Sequence, residues 1–139
     1  MQIRTFSYPE DLPAVLQLWS KAGPGVHLGP SDEPFELQKK LRRDPDLFLV
    51  AEENGDLVGA VMGGFDGRRA IVYHLAVEPG HRRKGLGSQL MAEMEVRLKT
   101  KGCLKMYLLV TKDNPEALQF YEGLGWDVMD MHLMGKELP

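Results

Sequence analysis

Residues 70–77 read Ala-Ile-Val-Tyr-His-Leu-Ala-Val, a strand-like run that feeds a basic turn containing Arg82, Arg83, Lys84 and Gly85. Beyond the turn, Leu86, Leu90, Met94 and Leu98 recur every four residues, as on one face of a helix. A change from strand to helix within so few residues leaves one solution, a strand–turn–helix unit. Such a unit aims unpaired backbone N–H groups and the positive end of a helix dipole at one point. Gly85 and Gly87 carry no Cβ, so an anion can approach the main chain closely there. Three consecutive cations add charge at the same place. The turn is therefore a candidate diphosphate cradle, weighed against a merely solvated connection. Two familiar phosphate loops do not fit the letters. No Gly-x-x-x-x-Gly-Lys-Ser/Thr string occurs, and the third glycine of a dinucleotide fingerprint is replaced by Leu90.

A net charge of −3 and a pI near 5.8 argue against a general nucleic-acid binder, which would need a basic surface. The cations at 82–84 are thus a local patch on an acidic protein, and that contrast favours a specific anionic ligand. At 139 residues the chain is long enough for one cored domain, expected to span 1–139. No apolar run approaches membrane-spanning length, and the first residues show no signal-peptide pattern, so no membrane association is expected. The single cysteine, Cys103, excludes an internal disulfide framework and fits a reducing cytoplasm. It reads as a small core residue rather than a nucleophile. His27, His74, His81 and His132 lack metal-ligand spacing, and no metal is expected.

Along the chain, residues 3–7 predict a short strand. Residues 9–22 predict a helix with Leu12, Val15, Leu16 and Trp19 on one face, ended by Gly23-Pro24-Gly25. Residues 23–34 hold three Gly and three Pro, a loop long enough to suspect of function. A second helix is expected over 36–43. Strands at 47–52 and 57–62 flank Asn54-Gly55, a strong hairpin signal. Asp66-Gly67 turns the chain into the strand at 70–77, completing an antiparallel meander. After the helix at 86–101, residues 105–111 predict a strand joined by a parallel crossover, so the sheet should be mixed. A short helix at 115–124 and closing strands at 126–129 and 132–136 complete the prediction.

The order of elements, the loop Arg82-x-x-Gly85-x-Gly87 and the stretch Asn114-x-x-Ala117-x-x-Phe120-Tyr121-x-x-x-Gly125-Trp126 together resemble the GNAT superfamily of N-acetyltransferases, and in particular its small stand-alone bacterial members. The resemblance covers nearly the whole chain and is sharpest from Leu47 onward. It implies an α/β (α+β) fold with a mixed, mostly antiparallel central sheet of 6–7 strands, flanked by about four helices. It implies an acyltransferase using acetyl-CoA as acyl donor. Arg82, Arg83, Lys84, Gly85, Leu86, Gly87 and Ser88 match the family's pyrophosphate loop. Leu75, Ala76 and Val77 match the strand end whose backbone pairs with the pantetheine arm, beside a bulge that splays this strand from the next. Asn114 matches a cofactor contact, and Tyr121 the tyrosine near the thioester sulfur.

The chemistry suits those roles. A primary amine can attack a thioester directly if it is deprotonated and positioned. Tyr121 is then the candidate general acid for the leaving thiolate, against a packing role beside Phe120. Some relatives carry a glutamate base at the place of Leu109, which cannot take a proton. His74 and Glu78 are the remaining candidates. Strand alternation places His74 on the opposite face from Tyr73 and Leu75 unless a bulge resets it. The missing carboxylate leaves open a non-catalytic acyl-CoA-binding or sensing module of the same fold; a dinucleotide-binding protein is the other rival. The expected acceptor is a small-molecule or peptide amine, with the 23–34 loop and its Asp32 and Glu33 bordering the pocket. The resemblance also allows a homodimer.

Overall fold

The structure, a computed structural model, describes all residues 1–139. Five strands lie in sequence order: β1 (Gln2–Thr5), β2 (Phe48–Glu53), β3 (Asp56–Phe65), β4 (Arg69–Val77) and β5 (Lys105–Leu108). The first four form an antiparallel meander, and β5 lies parallel to β4 after a helical crossover. Four helices flank them: α1 (Leu12–Ser20), α2 (Pro34–Arg43), α3 (Leu86–Thr100) and α4 (Pro115–Gly123). No helix is long and apolar enough to cross a membrane.

The β2–β3 turn forms as its letters require, with Asn54 at φ 53° and Gly55 at φ 84°, the pair of left-handed residues of a tight hairpin. Strand β2 is buried on both faces. Leu47, Leu49 and Ala51 pack with α3, whereas Phe48 and Val50 pack with α1 and α2. That two-sided burial explains why its sequence is a continuous apolar run. On α3 the expected stripe is the buried one: Leu86, Leu90, Met94 and Leu98 are all 6% exposed or less. The helix sits close because β3 offers glycine beneath it. A Cβ on Gly59 would stand 2.9 Å from Leu90 Cδ1, and one on Gly63 2.7 Å from Met94 Sδ.

Two expectations need correction. The sheet has five strands rather than 6–7, since residues 126–129 and 132–136 form none. Both segments carry apolar residues, but a strand also needs a neighbouring edge to share its hydrogen bonds. This segment follows α4 without pairing to β5, and residues 127–139 are exposed throughout. In α1 the buried face is Val15, Leu18 and Trp19, whereas Leu16 stays 39% exposed. The helix begins at Leu12 rather than Pro9, and its buried face is centred on the Val15–Leu18–Trp19 stripe.

Candidate functional site

Strands β4 and β5 pair only from Arg69↔Lys105 to Val72↔Leu108. Beyond Val72, β4 continues to Val77 with β3 on one side and no strand on the other. Backbone groups along this edge form a cleft wall able to receive an extended ligand. The parting coincides with a bulge. Ala60 pairs with Ala76 and Met62 with Tyr73, so Val61 faces two residues, His74 and Leu75. His74 takes up the extra length at φ 56°, a left-handed conformation that costs a non-glycine residue about 1–3 kcal/mol.

The bulge resets the alternation. Val72 packs on the α3 side and Tyr73 on the α1–α2 side, yet His74 does not return to the side of Val72. Its ring lies edge-on to Trp19 at 5.2 Å and to Tyr73 at 5.4 Å, on the α1–α2 side. Its Nε2 is 2.7 Å from Asp32 Oδ1, 42 residues away in sequence, and both side chains are nearly buried. The indole N–H of Trp19 is buried with no hydrogen-bond partner, so this aromatic wall is incompletely satisfied. The wall borders a cleft of about 620 Å³ whose lining includes His27, Gly29, Asp32, Lys40, Tyr73 and His74. The loop suspected from its glycines and prolines therefore does form one lip of a cleft. It does so through two 3-10 turns, Gly23–Gly25 and Pro30–Asp32.

At the far end of the β4 edge lies the basic turn. Gly85 precedes α3 at φ 79°, and Gln89 N–H donates to Gly85 O at 3.0 Å. The N–H groups of Leu86, Gly87 and Ser88 precede that first helical bond and point out of the helix end. Arg83, Lys84 and Gly85 are exposed, and nothing lies within 4 Å of where a Gly85 Cβ would be. Arg82 is less available than its neighbours. Its Nε donates to Val77 O and its Nη2 to Lys21 O, both at 3.1 Å, tying the turn to β4 and to the end of α1.

Glu78 also turns inward. Its Oε2 accepts from Gly80 N–H at 2.8 Å and lies 2.9 Å from His81 Nδ1. The bond to His81 holds the Glu78 carboxyl below the usual carboxylate range despite partial desolvation. Glu78 so occupied caps the turn, and the hydrogen bonds that favour its charged form weaken it as a proton acceptor.

On the other lip, Asn114 caps α4, its Oδ1 accepting from Ala117 N–H at 3.1 Å. Tyr121 packs against the α3-side core between Phe120 and Trp126, at ring distances of 5.0 and 6.0 Å. Burial pushes its phenol up to about 12. Gly87 allows Phe120 to approach the start of α3, since a Cβ there would stand 3.2 Å from Phe120 Cζ. Tyr121 and His74 therefore belong to opposite faces of the sheet, and the parting of β4 from β5 is the opening between them. The structure sets Leu75, Ala76 and Val77 on the unpaired edge of β4 with the basic turn beyond them, and Asn114 and Tyr121 at the cap and along α4; none of these lines the cleft beside His74. The Asp32 partner of His74 had no signal in residue spacing, because the contact is made between two distant segments. Leu109, 58% exposed, offers no acid–base group.

The sequence profile of the acetyltransferase (GNAT) family matches residues 12–126. An acetyltransferase of Pectobacterium atrosepticum is 41% identical over 139 residues, covering 99% of this chain and 96% of the relative. Among solved structures, Ard1 from Thermoplasma volcanium superposes with a TM-score of 0.80 at 27% identity, over 92% of this chain and 83% of that one. The PaiA N-acetyltransferase from Thermoplasma acidophilum, solved in complex with coenzyme A, gives 0.80 at 24% identity, over 94% and 92%.

Proposed function

This chain belongs to the acetyltransferase (GNAT) family, and from that premise we propose that it transfers an acetyl group from acetyl-CoA to a primary amine by direct attack in a ternary complex. The observation that carries the proposal is the parting of β4 from β5 beyond Val72, in line with the exposed amides and cations that open α3. An extended arm fits the open strand edge from Tyr73 to Val77, and a diphosphate fits the helix end. The solved PaiA complex with coenzyme A supports this donor by analogy of fold.

The protein's residues then divide the work. Arg83 and Lys84, with the amides of Leu86, Gly87 and Ser88, hold the diphosphate, and Arg82 braces the turn that presents them. Leu75, Ala76 and Val77 align the pantetheine arm by main-chain bonds, and Asn114 borders it from the α4 side. His74, at the opening on the α1–α2 side, accepts a proton from the incoming ammonium. Neutralising a lysine-like amine at pH 7 otherwise costs about 4–5 kcal/mol. The freed lone pair forms the new C–N bond as the C–S bond breaks. Of the two protons the amine loses, one passes through His74 to solvent and the other to the departing sulfur.

Tyr121 faces that sulfur from the α3 side. Burial raises its phenol to about 12, which holds the proton on oxygen until negative charge develops on the sulfur. Tyr121 therefore acts first as a hydrogen-bond donor that stabilises the charge developing on sulfur, and burial keeps that proton in place at neutral pH.

The test has two arms. Calorimetric titration with acetyl-CoA should show saturable binding, weakened at least tenfold in an Arg83→Glu, Lys84→Glu variant. A panel of amino acids, peptides, polyamines and aminoglycosides, assayed by release of free CoA thiol, should then identify an acceptor. With that acceptor, His74→Ala should lower kcat by about 10²–10⁴ while leaving acetyl-CoA affinity unchanged. Absence of acetyl-CoA binding would end the proposal; binding with no acetylation of any amine would point to a sensing module.

A further inference from the structure

We propose that Asp32 is the positioning residue for His74, fixing the imidazole so that Nδ1 is the nitrogen left to take the acceptor's proton. The inference rests on the reading of His74 as the base and adds to it a second residue, a tautomer and a direction of proton transfer.

Both oxygens of Asp32 are engaged. Oδ1 lies 2.7 Å from His74 Nε2, and Oδ2 accepts from Gly29 N–H at 2.9 Å. The carboxylate is thus held at both ends within the short 3-10 turn Pro30–Asp32, whose first residue is a proline with a fixed φ. An ionised carboxylate only accepts hydrogen bonds, so the proton between Asp32 and a neutral His74 sits on Nε2. A neutral imidazole has one N–H, which leaves the lone pair on Nδ1. The ring has little freedom to swing away, with Trp19 and Tyr73 edge-on around it.

The backbone supports the same reading. His74 holds a left-handed conformation at the bulge, where glycine would fit without strain. A strained non-glycine residue persists only where its surroundings fix it, and such residues cluster at working sites. Here the strained turn lets the side chain cross the cleft mouth to Asp32. Arg82 Nη2 on Lys21 O ties the basic turn to the end of α1, from which the loop carrying Asp32 departs.

The experiment combines ring ¹⁵N NMR with steady-state kinetics on the full chain. In the unaltered protein at a pH where His74 is neutral, the ¹⁵N shifts should report the Nε2–H tautomer. Asp32→Ala should turn that signal into a tautomer mixture and lower kcat about 10–100-fold, with KM for acetyl-CoA within twofold. Asp32→Asn, whose carbonyl can still accept from Nε2, should recover part of both readouts. The His74→Ala, Asp32→Ala double variant should be no slower than His74→Ala alone, because the two residues act as one unit. An unchanged tautomer in Asp32→Ala overturns the inference. So does a rise in acceptor KM at constant kcat, which would make Asp32 a binding carboxylate. If His74→Ala itself keeps full kcat, the assignment of the base fails first. Should Asp32→Ala unfold on melting, Asp32→Asn carries both measurements.

Discussion

At the scale of single residues, the candidate site holds groups whose surroundings alter them. Tyr121 has no charged neighbour shifting it; burial alone raises its phenol to about 12. Removing its hydroxyl should cost the hydrogen bond to the developing thiolate, worth about 1.5–3 kcal/mol for a charged acceptor. Tyr121→Phe should therefore lower kcat about 10–100-fold, with the acetyl-CoA dissociation constant within twofold; unaltered turnover would return Tyr121 to a packing role. Lys40 shows the opposite pressure. Burial lowers its ammonium, although Asp44 at 3.0 Å opposes the shift, and it also donates to Gly63 O to hold α2 against β3. Tyr121 was legible in the chain because its motif is local, seven residues beyond Asn114. The pairing of His74 with Asp32 was not, since no pattern of spacing reports a contact between a bulge and a loop 42 residues earlier.

At the scale of elements, α3 joins the core to the basic turn that opens it. Its buried stripe could be read from the four-residue period, and its close seat on β3 depends on Gly59 and Gly63. Gly87 lies where α3 meets α4. Alanine there gains about 1 kcal/mol of helix propensity, but its Cβ meets the rigid ring of Phe120 at 3.2 Å. We expect Gly87→Ala to melt within a few degrees of the parent while acetyl-CoA affinity and turnover fall several-fold, as Phe120 carries Tyr121 with it. Calorimetry and thiol release on the same preparation check both halves. The elements misjudged from sequence share a cause. Leu16 and the apolar residues after Trp126 suit burial by type, but burial and strand pairing depend on where a partner surface lies.

At the scale of the whole molecule, a paired carboxylate ties the edge strand β1 to the start of α1. Arg4 on β1 grips Asp11 at the start of α1 through two bonds of 2.7 and 3.0 Å, and Ser7 N–H donates to the same carboxylate at 2.7 Å. The Arg4 guanidinium, chiefly by this hydrogen bond, holds the Asp11 carboxyl below the usual carboxylate range, outweighing desolvation. Because the folded value is depressed, the stabilisation is present above the unfolded value of about 3.9 and is lost as pH falls through the folded one. Asp11→Asn should lower the unfolding free energy by roughly 1.5–3 kcal/mol at pH 7, and the gap should close as urea melts are taken below about pH 4. A gap that persists at low pH would assign the loss to packing instead. By itself the sequence determined the family resemblance, the meander, the parallel crossover and the basic turn before α3, because each is written in local periodicity, turn chemistry or a contiguous motif. Tertiary structure alone decided how far β4 and β5 stay together, which face the bulge gives to His74, and that Asp32 meets it. Those outcomes depend on the register and docking of segments far apart in the chain, which residue spacing does not encode.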